Sequence, residues 1–133
     1  ATADTPYFQI GESKYGKPIL DRVITTATPL DEAAKCALVS MDSTLKSNLS
    51  VGLPLDLLVY RAGQLQSDDF VCIDEHNPYF QFIRSTWGEK LHRVFESIDD
   101  PQWGVGKANH PLLVPSKRFP QMKKIGDVGE KIV

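Results

Sequence analysis

The sequence predicts an α+β domain, and three observations carry that expectation. Two long stretches, at about residues 29–47 and 78–98, repeat apolar residues at helical spacing; a strand-like pair flanks Ala62-Gly63; and a proline signal precedes each long stretch. The expected order is strand, two helices, antiparallel hairpin, helix and extended tail.

Tyr7 to Ile10 reads as a short strand stopped at Gly11, where a residue without Cβ can take a backbone angle that others resist. Tyr15, Ile19, Leu20, Val23 and Ile24 then recur at helical spacing. Pro18 places the start of this short helix near Lys17, so that its missing N–H falls in the first turn. Thr28-Pro29-Leu30-Asp31 supplies a threonine N-cap, a proline at the first helical position and an acid in the first turn. The helix that starts at Pro29 carries Leu30, Ala33, Ala34, Ala37, Leu38, Met41 and Leu45 as one stripe and ends at Lys46 or Ser47.

Asn48 to Pro54 is turn-like, Leu55–Tyr60 and Gln66–Ile73 read as the strands of a hairpin, and Asp68-Asp69 leaves the register of the second strand open. After Asn77-Pro78, a second stripe runs through Phe80, Ile83, Trp87, Leu91, Val94 and Phe95, ending near Ile98. Met41 and Trp87 are expected to face the core. Beyond Pro101 the composition turns to proline and glycine, with Leu112-Leu113-Val114 as the compact apolar patch. The expected organisation is a domain over residues 1–98 and a tail over 99–133.

With 15 basic against 17 acidic side chains, the chain has no field to recruit nucleic acid or an anionic membrane. Neither partner is expected. No apolar run approaches the roughly 18–20 residues of a membrane span, and no signal-peptide pattern opens the chain, so a cytoplasmic protein is expected. The start at Ala1-Thr2 reads as a processed product or an excerpt. Cys36 and Cys72 are expected to be buried small hydrophobes, and His76, His92 and His110 lack ligand spacing, so neither metal nor cofactor is expected.

Conventional nucleophile signatures are missing: there is no GxSxG, and Cys36 belongs to a helix. Glu12 with Asp21, or Asp31 with Glu32, can be paired on paper as carboxylates for glycosidic chemistry. Capping of a helix first turn accounts for Asp31 and Glu32 without it.

The stretch from Tyr7 to Arg61, YFQIGESKYGKPILDRV followed by PLDEAAKCALVSMDSTLKSNLSVGLPLDLLVYR, resembles the C-terminal half of a bacterial proteasome-like β subunit. The resemblance is to Anbu, the ancestral β subunit, within the N-terminal-nucleophile (Ntn) hydrolases. It implies the C-terminal half of an αββα four-layer sandwich, over roughly residues 5 to 98. It also implies amide or peptide hydrolysis by a nucleophile upstream of this chain, whose α-amine acts as base. Self-assembly into a ring or helical stack follows from the same resemblance, as does an isolated chain without activity.

Three auxiliary residues follow from it too. Ser13 matches a glycine-serine loop that lies against the nucleophile, its register open by one or two positions, and Glu12 departs from the small residue usual there. Asp42 and Ser50 match an aspartate and a serine close to the nucleophile's amine, with Ser47 competing for the serine's place. Read without the resemblance, Ser13 is a helix-entry serine and Asp42 a solvated helix residue. The alternative function is a non-catalytic assembly or binding module with the same fold.

Overall fold

The computed structural model describes residues 1–11, 13–64, 70–103 and 112–113. Helix α1 (Lys17–Val23) is followed by α2 (Leu30–Ser47), strands β1 (Leu55–Leu58) and β2 (Phe70–Ile73), and helix α3 (Pro78–Glu96). Strands β3 (Gln102–Trp103) and β4 (Leu112–Leu113) come last. The chain divides into two compact units, Ala1–Arg93 and Val94–Val133.

Each helix begins where its proline directs. Pro18 stands in the first turn of α1 and Pro78 opens α3, where the Asn77 side-chain oxygen accepts a 3.0 Å hydrogen bond from the Phe80 amide. At α2 the start slips by one residue: Pro29 is the N-cap and Leu30 the first helical residue. Thr28 does not cap because its Oγ1 accepts instead from the Thr25 amide at 2.8 Å. The turn before the helix has taken the oxygen the helix would have used.

Strands β1 and β2 pair antiparallel with Leu55 opposite Ile73 and Leu58 opposite Phe70. Gly63, at φ +83°, supplies the left-handed residue of the turn at Ala62-Gly63. The strands are shorter than the sequence pattern suggests; Gln66 to Asp69 lie outside the described residues. Pleating turns Leu55, Leu57 and Ile73 toward the core, where Leu38, Phe80 and Ile83 are also buried. Full burial, as at Leu38, Ile73, Phe80 and Ile83, stabilises the fold by about 1.5–3 kcal/mol per side chain. Pleating also turns Asp56, Leu58, Phe70 and Cys72 to the opposite face, which leaves Leu58 and Phe70 exposed as a cross-strand pair.

Three expectations need correction. Tyr7–Ile10 forms no strand, although Gly11 does take a positive φ of +95°. A strand exists only with a partner, and no described segment pairs with this one. Cys72 is exposed rather than buried, because its alternation places it with Asp56 on the outward face. Met41 and Trp87 are half-buried, since the enclosed positions of α2 fall on two other sides of the helix, Cys36, Ser40 and Thr44 on one and Leu38 and Asp42 on the other. In the second unit β3 pairs parallel with β4, Gln102 opposite Leu112 and Trp103 opposite Leu113.

Ser40 and Thr44, on the first of these sides of α2, are there for α1. Gly16, the residue before α1, is buried against α2 so closely that a Cβ would sit 2.2 Å from Ser40 Oγ, 2.8 Å from the Ser40 carbonyl oxygen and 2.8 Å from Thr44 Oγ1. Its φ of −92° is open to any residue, so the glycine is needed for space and not for conformation. Gly16→Ala in the folded subunit is expected to lower stability by roughly 1–3 kcal/mol, measured as a fall in the urea midpoint. Gly52→Ala, where a Cβ meets nothing within 4 Å, is the matched control and should leave the midpoint nearly unchanged. Equal effects at the two glycines would show that contact space is not what Gly16 provides.

Candidate functional site

Asp42 follows Leu38 by one helical turn and precedes Leu45, so it lies within the stripe that α2 presents to the core and α3. Arg84 follows Phe80 by one turn on α3 and occupies the corresponding place there. The two meet: Arg84 Nε donates to Asp42 Oδ1 at 2.9 Å. Asp42 is 6% exposed, whereas half of the Arg84 side chain reaches solvent. A carboxylate this enclosed is costly to desolvate unless a cation or donor answers it, and Arg84 supplies both. The guanidinium also lies over the Phe80 ring, 5.3 Å from its centroid.

Beside this pair, a cleft of about 520 Å³ opens between α2 and α3, walled by Leu45, Trp87 and Leu91 and edged by Ser43, Lys46 and Ser47. A second cavity, of about 420 Å³, lies among α1, α2 and α3 and is largely apolar, with Ile19, Val39, Phe82 and Ile83 in its lining.

The three sequence-derived candidates stand in different settings. Asp42 lines the first cleft; Ser13 and Ser50 line neither cavity. Ser13 is exposed ahead of α1, and Glu12 lies outside the described residues. Ser50 is exposed in the turn after α2, its amide donating to Asn48 Oδ1 at 2.9 Å. Ser47, its competitor, ends α2 and edges the Asp42 cleft. Among the described residues no hydrogen bond joins Ser13, Asp42 and Ser50. Asp42 is not the solvated helix residue of the simpler reading, because it is buried and paired.

Arg84 was legible only as a flaw in a pattern. A cation one turn from Phe80 and next to Ile83 interrupts the apolar stripe of α3, just as Asp42 interrupts that of α2. Opposite charges inside two stripes expected to share a core are a pairing signal.

A second polar cluster ties the N-terminal segment to α1. Lys17 Nζ donates to Asp21 Oδ1 at 2.5 Å and Oδ2 at 2.7 Å and to the Tyr7 hydroxyl at 3.1 Å, while that hydroxyl donates to Asp21. The hydrogen bond from Lys17 holds the Asp21 carboxyl below its ordinary value, and the bond to Asp21 raises the Lys17 ammonium. Asp21 is therefore engaged as a structural partner, while Glu12, the carboxylate paired with it on paper, lies outside the described residues. Both cysteine thiols are pushed up by desolvation, Cys72 also by Asp56 opposite it, which disfavours the thiolate a nucleophile requires.

No protein-family model and no curated protein matches the sequence. Solved structures do. Anbu from Yersinia bercovieri is 58% identical with a TM-score of 0.72, the match covering 74% of this chain and 42% of that one. The family this chain matches is Anbu, the ancestral β subunit. The helical assembly of the Anbu complex from Pseudomonas aeruginosa matches at 54% identity and TM-score 0.72, covering 77% of this chain and 42% of that one. Anbu from Hyphomicrobium sp. strain MC1 matches at 48% and 0.71, covering 75% and 43%. The α+β arrangement described above is thus that of an Anbu fragment, and the chain spans less than half the length of these Anbu chains.

Two expectations follow from the polar pairs. Arg84→Ala should destabilise the Anbu-like fold by roughly 1–3 kcal/mol, because it leaves a buried carboxylate unanswered. In a double-mutant cycle Arg84→Ala and Asp42→Asn should be strongly non-additive; additive losses would mean that the ion pair contributes nothing. At the second cluster, Lys17→Met should raise the Asp21 pKa toward its ordinary 3.8, read by NMR titration of the carboxyl carbon. The sign for stability follows: Asp21's contribution is present above the ordinary value and is lost as pH falls through the lowered one. That of Lys17 is present below 10.5 and is lost as pH rises through the raised value. An Asp21 titration unmoved by Lys17→Met would remove the contact.

Proposed function

We propose that this chain is the C-terminal half of a proteasome-like Ntn hydrolase subunit that cleaves peptides or other amides. The observation that carries the reading is the match to Anbu at 48–58% identity with TM-scores of 0.71–0.72. The nucleophile belongs to the part of the subunit outside this sequence. Ser13, Asp42 and Ser50 act as auxiliary groups: an aspartate beside the nucleophile's ammonium raises its pKa, and a serine hydroxyl relays its proton.

The hairpin supports the same reading. Its outward face exposes Leu58 and Phe70, each at 59%, and only β1 and β2 pair with one another among the described residues of that sheet. An apolar, two-stranded sheet is a marginal structure by itself and fits a sheet continued and covered by the rest of a four-layer sandwich. The active subunit is cytoplasmic and self-associates, as the helical assembly of its Pseudomonas relative suggests.

One observation favours the second reading, an assembly or binding module without catalysis: the Asp42 carboxylate is already engaged by Arg84. The residue exposed at the subunit's own N-terminus separates the two. Thr, Ser or Cys there favours the hydrolase, and any other residue favours the module.

In the full subunit, replacing that first residue by Ala should abolish hydrolysis of a fluorogenic peptide amide, while the 133-residue chain alone should show none. Turnover that survives the replacement would overturn the proposal. Asp42→Asn should shift the rising acid limb of the pH–rate profile to lower pH, by about half a unit to one unit, since the amine then loses its proton more readily. An unmoved limb would take Asp42 out of the site and leave it as the partner of Arg84.

A further inference from the structure

We propose that the cleft between α2 and α3 is a binding site for a carboxylate carried on an apolar group, recognised by Arg84 and Lys46. The cleft borders Asp42, which the hydrolytic reading also uses, but the inference is read by ligand affinity and does not rest on that reading. Arg84 reaches the cleft as a preset group. Asp42 holds it through Nε at 2.9 Å and the Phe80 ring lies against its face, so the two Nη groups remain, with no acceptor for them among the described residues. A planar fork fixed in this way matches a carboxylate without ordering a flexible side chain at the moment of binding.

Lys46 edges the same cleft, is exposed and has no anionic partner among the described residues. With Asp42 answered by Arg84, the charged lining carries one net positive charge, which suits a monoanion. A phosphate dianion would be left undercompensated beside the Asp42 carboxylate. The remaining walls choose the body of the ligand: Leu45, Trp87 and Leu91 are apolar, and a volume of about 520 Å³ is that of a small-molecule site.

Gly88 leaves the room. Glycine inside a helix is less favourable than alanine, and here a Cβ would meet nothing within 4 Å, so no packing contact with a neighbouring element requires it. Its place in the lining means that a larger side chain at 88 would project into the cleft. A peptide C-terminus and a short aliphatic acid share the proposed chemistry.

The test is calorimetric titration of the full subunit with N-acetylleucine, N-acetylleucine amide and hexanoate. N-acetylleucine, hexanoate or both should bind with a Kd on the order of 0.1–1 mM, and the uncharged amide at least about tenfold more weakly than the tighter-binding acid. Lys46→Gln should weaken binding of the acids roughly five- to tenfold, and Gly88→Leu should abolish it; both leave the Asp42–Arg84 pair in place. N-acetylleucine preferred over hexanoate identifies a peptide terminus, and the reverse an aliphatic acid. The proposal is overturned if the uncharged amide binds as tightly as the tighter-binding acid, if neither acid binds at about 10 mM, or if Lys46→Gln leaves the affinity unchanged. Retained binding in a folded Gly88→Leu protein would overturn it as well. Where Gly88→Leu does not fold, the Lys46→Gln result decides.

Discussion

The close approach of Gly16 to α2 is the constraint on which the arrangement of helices rests. A seven-residue helix such as α1 is too short to hold itself together in water and persists only where it is packed. Removing one side chain lets its N-terminal end reach the backbone of α2 at Ser40, and this explains why the facing residues of α2 are Ser40 and Thr44. Larger apolar residues would hold α1 away. The polarity is tolerable because Thr44 Oγ1 donates to the Ser40 carbonyl at 3.0 Å, inside its own helix. The contact therefore asks nothing of α1 beyond an absent Cβ. With one side given to α1, α2 has another left for Leu38, the hairpin and α3, and it becomes the element that the others pack around.

On that other side the packing changes character. Leu38, Ile73, Phe80 and Ile83 form a dry cluster, whereas one turn further along α2 the contact with α3 is an ion pair with a cleft next to it. Apolar packing can slide by a fraction of a residue at little cost, but a buried carboxylate accepts few positions of its partner. Asp42 thereby fixes the register of α3 against α2 at one point, and Phe80 holds the far face of the same guanidinium. The energy of such a pair is modest, and what it supplies is position.

What the sequence made legible follows the range of the physics involved. The helices were readable because periodicity, caps and prolines act within one or two turns, and Pro18, Pro29 and Pro78 locate all three starts to within a residue. The hairpin was readable from Gly63 and its flanking alternation. Tyr7–Ile10 was misread because strand propensity describes a segment while a strand describes a pair. Cys72 was misread for a related reason: alternation sorts residues onto two faces without saying which face is covered. At the candidate site, Asp42 was reached through resemblance and its partner not at all. The two are 42 positions apart, and only the joint reading of two interrupted stripes brings them together.

The difference between Asp42 and the two serines bears on what this chain can do by itself. Asp42 is oriented by the fold: walls surround it and a donor fixes one oxygen. Ser13 and Ser50 are exposed, and among the described residues their hydroxyls have no partner. The Asn48 side chain sets the backbone at Ser50 and leaves the hydroxyl to water, which satisfies it in any rotamer. Proton relay needs the opposite condition, a hydroxyl held in one rotamer beside a group whose pKa is tuned by enclosure. In the proposed hydrolase that enclosure comes from outside the described residues. On that proposal the segment supplies groups whose backbone positions α1 and α2 already set, and a second surface that excludes water is the condition for their chemistry.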